Sequence, residues 1–307
     1  MSVPAEPFGA FGPAHVAAAR LIPADAVPVT DENAENAAPA GADTGATEDG
    51  GVRALLLRLR AAAAEAPSDE VAGQVLELVA REMTSLLGRY DREALITWRE
   101  RACRQDAAGN PGAAVHLLGQ VVAEMAQHLG PTDPETLVTH LELATAIGNN
   151  GDPRAAVQRF QELLPALTAA HGAQDARVLT VQVRMAANLA RAGEVFPAAQ
   201  QLQTLIPWIQ QSLPTGHPLL GEARCALARL VPTFRRLTGT PDSAGLGPVE
   251  AVAMVHRLLV WDFGSDAEAK ACVKDLSKFT GKRSIADRLA SIPDDLSPEQ
   301  AAGLLLA

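Results

Sequence analysis

The sequence predicts an all-α chain: a solenoid of antiparallel helix pairs closed by a C-terminal helical cap. Three observations predict it. Small and large apolar residues recur together at a fixed step of 42 residues. Helix start and stop signals keep that step. Between those signals the apolar residues follow helical spacing.

The step shows first in the glycines: Gly109, Gly151 and Gly193 are separated by it, and so are Gly88, Gly130 and Gly172. Ala72, Ala114, Ala156 and Ala198 repeat with it, each followed four residues later by Leu76, Leu118, Phe160 or Leu202. Val79, Val121, Leu163 and Leu205 keep it, as do Leu95, Leu137 and Leu179, and the small series Ala102, Ala144, Ala186 and Ala228. A fixed period of this size, carried by apolar positions, means stacked supersecondary units.

Each unit reads as two helices. Asp133-Pro134 and Asp152-Pro153 place a capping side chain before a Pro, which suits a first helical turn whose N–H groups have no partner anyway. Asn110-Pro111 and His217-Pro218 are weaker starts. Gly130, Gly151, Gly172 and Gly193 supply the stops. Leu137, Leu141, Ala144 and Ile147 illustrate the helical spacing between those marks. Pro165 and Pro207 occupy equivalent places inside their helices and predict a kink in each.

These residues resemble the tetratricopeptide repeat (TPR). Its W-x2-L-G-x2-Y pattern falls at Trp98, Arg101-Ala102 and Gln105, then at His140, Leu143-Ala144 and Ile147. It continues at Gln182, Met185-Ala186 and Leu189, and at Arg224, Leu227-Ala228 and Val231; Ala156-x3-Phe160 carries the second-helix signature. The 42-residue step is similar to the long-helix variant of kinesin light chains and of many bacterial signalling proteins. Good units span 91–129, 133–171 and 175–213, and the helix after Gly88 departs most, with Arg101 and Gln105 at apolar positions. The resemblance implies a right-handed superhelical solenoid with a concave groove lined by the first helix of each pair.

Carried over to this chain, the lining residues are Ile96, Arg99, Cys103 and Asp106; Val138, Leu141, Thr145 and Asn149; Thr180, Val183, Ala187 and Arg191; and Glu222, Cys225 and Arg229. That mixture is an apolar floor with three arginines suited to gripping a carboxylate or peptide carbonyls. It lacks the Lys/Asn carboxylate clamp of chaperone-binding relatives, because Glu100 and Cys103 stand where the clamp needs amides or lysines.

The division expected is an acidic, largely disordered tail over 1–51, a TPR-like helical repeat domain over 52–263 and a C-terminal helical module over 264–307. The tail holds eight acids against Arg20 alone, in a stretch rich in Ala, Pro and Gly. Gly239–Gly247 reads as a loop, 248–262 as a helix, and Ser265 as the cap of another that ends near Gly281; shorter helices follow near 284–291 and 297–306. Lys270, Lys274, Lys278 and Lys282 are four apart and form a stripe on one helix, suited to an acidic partner or to a solvated capping face.

Composition narrows the function classes. The 307 residues are 48% hydrophobic and carry a formal charge of −10, ample for a core and unsuited to nucleic-acid binding by bulk positive charge. Cys103, Cys225 and Cys272 offer neither a disulfide framework nor a zinc ribbon. No apolar run approaches the length of a membrane span, and the first residues lack the basic and apolar regions of a secretory signal, so a cytoplasmic location is expected. The seven histidines show no metal-pair spacing, Gly245-Leu246-Gly247 lacks the lysine of a phosphate loop, and no nucleophile-elbow motif occurs. The expectation is therefore a non-enzyme without cofactor or metal: a scaffold or adaptor holding a protein or peptide partner in the groove. A ligand- or peptide-responsive regulator acting through a partner is the alternative, an enzyme or biosynthetic accessory a lesser one, and homo-oligomerisation stays open.

Overall fold

The computed structural model describes residues 44–238, 247–260, 262–280, 285, 288, 291–293, 296 and 298–306. Most of the expected tail, the loop over 239–246 and Lys282 lie outside the described residues. Twelve α-helices and no strand occur among those described. The chain divides into two compact units at Asn150/Gly151, a boundary inside the stretch read from sequence as one repeat domain.

In the first unit the helices are α1 (Thr44–Ala62), α2 (Asp69–Leu87), α3 (Arg92–Ala107), α4 (Pro111–His128) and α5 (Pro134–Asn149), with a 3-10 turn at Ala63–Glu65 after α1. The start of α1 at Thr44 carries helix across residue 51, where the sequence reading ends its tail. Each helix packs on the next in sequence, and α3 also meets α5. The repeating apolar positions are the ones that disappear from solvent: Ala72, Ala114, Leu76, Leu118, Val79, Val121, Leu95, Leu137, Ala102 and Ala144 are all buried. Removing side chains of this size from water is the main stabilising term, of order 1.5–3 kcal/mol for each large one.

The repeat also governs polar detail. The Thr97 hydroxyl donates to the Glu93 carbonyl at 2.7 Å and lies 3.3 Å from the Met83 sulfur. One step on, Thr139 donates to the Glu135 carbonyl at 2.6 Å and lies 3.1 Å from the Met125 sulfur. Asp91 and Asp133 cap α3 and α5, each accepting from the backbone N–H two residues ahead at 2.9 Å. Arg92, the first residue of α3, grips Asp133 in a two-pronged pair at 3.0 and 3.0 Å. Arg101 and Gln105, the residues that depart from the family pattern, are half-buried; Arg101 is accommodated because α2 supplies Glu77 as its partner, at 2.8 Å.

The second unit contains α6 (Pro153–His171), α7 (Ala176–Arg191), α8 (Val195–Ser212), α9 (Pro218–Thr238), α10 (Pro248–Leu259), α11 (Asp266–Thr280) and α12 (Pro298–Leu306). Helices α6 to α9 continue the pair-by-pair packing; α10 packs on α9 and receives both α11 and α12. Asp152 caps α6 as the sequence signals, Asp175 caps α7, and the Ser265 hydroxyl accepts from the Glu268 N–H at 3.3 Å at the start of α11. Helices α6 and α8 run through Pro165 and Pro207. Gly172 closes α6 at φ 87° and ψ 155°, a region that only glycine occupies without strain. A continuous core of α7, α8, α9 and α10, with Leu202, Ile209, Leu227 and Met254 fully buried, extends to Ile285 and Ala301.

Candidate functional site

The first-type helices α3 and α5 expose one shared face in the first unit. Of the residues expected there, Ile96 and Leu141 are buried in the core, 8% and 2% exposed, and back the face without lining it. Cys103, Asp106, Val138 and Thr145 are half-buried and Asn149 is exposed. The Asn149 amide donates to Asp106 at 2.8 Å, tying α5 to α3, and the Thr145 hydroxyl donates to the Leu141 carbonyl at 2.9 Å.

Arg99 is not a bare cation on this face. It forms an ion pair with Glu135 of α5 and is only 14% exposed at its side chain. Burial by itself would lower its basicity, but Glu135 outweighs that and holds it charged. Arg60 of α1 pairs in the same way with Glu93 and stands 3.5 Å from Glu100. Burial pushes the Glu100 carboxyl up despite Arg60 and Arg99 nearby, and pushes the Cys103 thiol far up, with Glu142 adding to the effect. Among the charged side chains that meet around Glu100 and Cys103, the acids Glu93, Glu100, Glu135, Glu142 and Asp106 outnumber Arg60, Arg99 and Arg104.

In the second unit Val183 is 2% exposed and belongs to the core, while Thr180, Ala187, Arg191, Glu222, Cys225 and Arg229 are half-buried. Burial lowers the basicity of Arg191, whose guanidinium lies 3.5 Å from the Asn188 side-chain oxygen. Burial raises the Glu222 carboxyl, although Arg184 pulls it down, and its Oε1 is buried without a hydrogen-bond partner. Arg229 is engaged by Asp262, from the segment that follows α10. Burial raises the neighbouring Cys225 thiol to about 12, with Asp262 adding to it.

Asp262 is part of a cluster that repeat-based reasoning does not reach. Arg257 of α10, 6% exposed, donates to the Asp262 carbonyl at 2.9 Å, pairs with Glu268, and lies 4.4 Å from the centre of the Phe263 ring. Lys270, Lys274 and Lys278 are exposed on α11. Cys272 is buried, its thiol raised to about 12 by burial. Among the described residues no group of three His, Cys, Asp or Glu side chains is placed to hold a metal ion, and no helix is long and apolar enough to cross a membrane.

No known family model matches the chain, and no curated protein is similar to it in sequence. Solved structures do resemble it. The nearly identical TPR-like repeats of a Podosopora anserina protein assigned as a kinesin light chain share 21% identity, cover 77% of this chain and 99% of their own, and superpose with a TM-score of 0.49. A form of those repeats carrying one substitution shares 22% identity over 70% of this chain and 98% of its own, with a TM-score of 0.52. Together with consecutive packing of helix on helix in each unit, the second likeness establishes the fold of the described chain as a TPR-like helical repeat.

Proposed function

We propose that the chain is a protein-interaction scaffold that engages a basic peptide or helix of a partner on the face shared by α3 and α5. The observation that supports this reading is the charge balance there. Arg99 is paired with Glu135, and the carboxyl groups of Glu100, Glu142 and Asp106 also gather around Cys103. Two of the three arginines expected from sequence to grip a carboxylate form ion pairs within the chain, Arg99 with Glu135 and Arg229 with Asp262. The ligand polarity that fits the first unit is therefore cationic. Half-buried Val138 and Thr145 supply contact surface between the charges.

The test is a peptide array on the purified chain with lysine- and arginine-rich sequences beside acidic and neutral ones. Basic peptides bind in a salt-dependent manner, and Glu100→Gln with Glu142→Gln weakens them. Equal capture of acidic peptides, or binding indifferent to both substitutions, refutes the reading.

A further inference from the structure

Between α2 and α3 lies a cavity of about 170 Å³, lined by Gly73 and Glu77 of α2 and by Arg101, Arg104 and Gln105 of α3. The repeat makes that lining conspicuous. At the 42-residue step Gly73 is followed by Val115, Val157 and Ala199, Arg101 by Leu143, Met185 and Leu227, and Gln105 by Ile147, Leu189 and Val231. One repeat on, Val115, Leu143 and Ile147 pack with Ala114, Leu118 and Ala146 in an apolar cluster between α4 and α5. The first copy therefore has one side chain missing and two polar ones where later copies have a filled apolar contact. The space is real at Gly73, where an added Cβ meets nothing closer than the Arg104 Cβ at 3.7 Å.

Polar groups around the cavity are incompletely paired. The Gln105 Oε1 is buried and has no hydrogen-bond partner among the described residues, a deficit that a bound donor relieves. Arg101 gives Nε and Nη2 to Glu77, at 3.2 and 2.8 Å, and keeps the N–H groups of Nη1. Arg104 gives Nη1 to Asp69 at 2.7 Å and keeps those of Nε and Nη2. Exposed Glu70, at the start of α2, adds a carboxylate to the lining. Spare guanidinium donors and spare oxygen acceptors thus border one small space.

We propose that this cavity binds a free amino acid. Its carboxylate lies on the spare N–H groups of Arg101 and Arg104, and its ammonium on Gln105 Oε1 and Glu70. A cavity of about 150 Å³ holds a benzene-sized molecule, so there is room for an amino-acid backbone with a short side chain. A free amino acid fits better than a segment of protein, whether this chain's own, a second copy's or a partner's, because it brings both charges in one small body. A peptide N-terminus lacks the carboxylate, a C-terminus lacks the ammonium, and a side chain carries one charge at most. A simple anion meets Asp69, Glu70 and Glu77 and leaves Gln105 unsatisfied, while a simple cation meets both arginines. Residues 101, 104 and 105 lie on the opposite side of α3 from Arg99, Cys103 and Asp106, so this site is separate from the peptide-binding face proposed above.

The test is calorimetric titration of the full chain with each of the protein amino acids. Any that binds is compared with its own N-acetyl and carboxamide forms, which lack one charge each. At least one small amino acid binds saturably, and both capped forms bind about tenfold or more weakly. Gly73→Val puts back the side chain of the later repeats and fills the cavity; Gln105→Met removes the buried acceptor at similar length. Each lowers affinity about tenfold or more, while the thermal midpoint stays at or above that of the wild type. No saturable binding by any amino acid overturns the inference, and so does binding that survives Gly73→Val. A capped form that binds as tightly as the free amino acid also overturns it, in favour of a peptide terminus. That comparison needs no variant, so it decides the matter even where a substitution disturbs folding.

Discussion

Replacing Arg257 by Ala should loosen α11 far more than it loosens the repeats. The side chain is 6% exposed and serves three partners at once: the Glu268 carboxylate, the Asp262 carbonyl and the Phe263 ring. A hydrogen bond to a charged group contributes about 1.5–3 kcal/mol and a desolvated cation–ring contact about 1–2 kcal/mol. Glu268 is 45% exposed and regains water when its partner leaves, and Asp262 keeps Arg229, so the sum must be discounted. About 3 kcal/mol remains, equivalent to roughly a hundredfold rise in local opening. Hydrogen exchange of the amides in Asp266–Thr280 measures that opening directly, and the amides of α3 and α4 serve as the internal reference. The effect also has a pH signature. Burial by itself raises the Glu268 carboxyl, but Arg257 and the Gly264 N–H together hold it below its ordinary value. A depressed carboxylate stabilises the fold above its unfolded pKa and loses that contribution as pH falls through the folded pKa, so the difference between wild type and Arg257→Ala narrows below about pH 4. Exchange of α11 in the Ala variant within about threefold of wild type at neutral pH would refute the reasoning.

Two further outcomes follow from buried polar groups. Thr136 is fully buried with its hydroxyl lacking a hydrogen-bond partner, whereas Thr139 donates to the Glu135 carbonyl. Thr136→Val is accordingly neutral or stabilising by up to about 1 kcal/mol, and Thr139→Val destabilises by about 1 kcal/mol, in urea unfolding of the two variants side by side. Glu222→Gln raises stability at neutral pH by about 1 kcal/mol, because burial has raised the carboxyl it replaces. A raised carboxyl costs stability as pH climbs past its unfolded value, so this gain disappears on acidification below about pH 4.5; a gain that persists there contradicts the assignment.

The 42-residue frame is legible because it is written in residue types with one dominant use. Fully buried Ala102, Ala144 and Ala186 tolerate nothing larger, and glycines such as Gly172 and Gly193 sit at φ 87° and 90°. The face of α3 and α5 is less legible. Ile96 and Leu141 match the lining positions of the family, but their fate depends on how closely neighbouring helices cover them, which apolar character alone does not specify. Charge partners are harder still. Glu135 keeps the repeat step from Glu93 and could have been paired with Arg99 on that basis, whereas Asp262 stands outside the repeat and reaches Arg229 only through the fold after α10. Helix α1 falls outside the 42-residue frame for a different reason: Leu56, Arg60 and Ala63 precede Leu95, Arg99 and Ala102 by 39 residues, no glycine marks its end, and a 3-10 turn follows it.

The two-pronged contact between Arg92 and Asp133 makes folding of neighbouring repeats conditional on one another. The carboxylate that accepts from the Glu135 N–H in the first turn of α5 is the same one that anchors the first residue of α3. Energy that would ordinarily be divided between the intrinsic stability of a repeat and its interface with the next is lodged in a single side chain. Melting at the start of α5 therefore withdraws an anchor from α3, and release of α3 loosens the group that nucleates α5. Within this unit, fraying propagates across the boundary between repeats and does not stop at it.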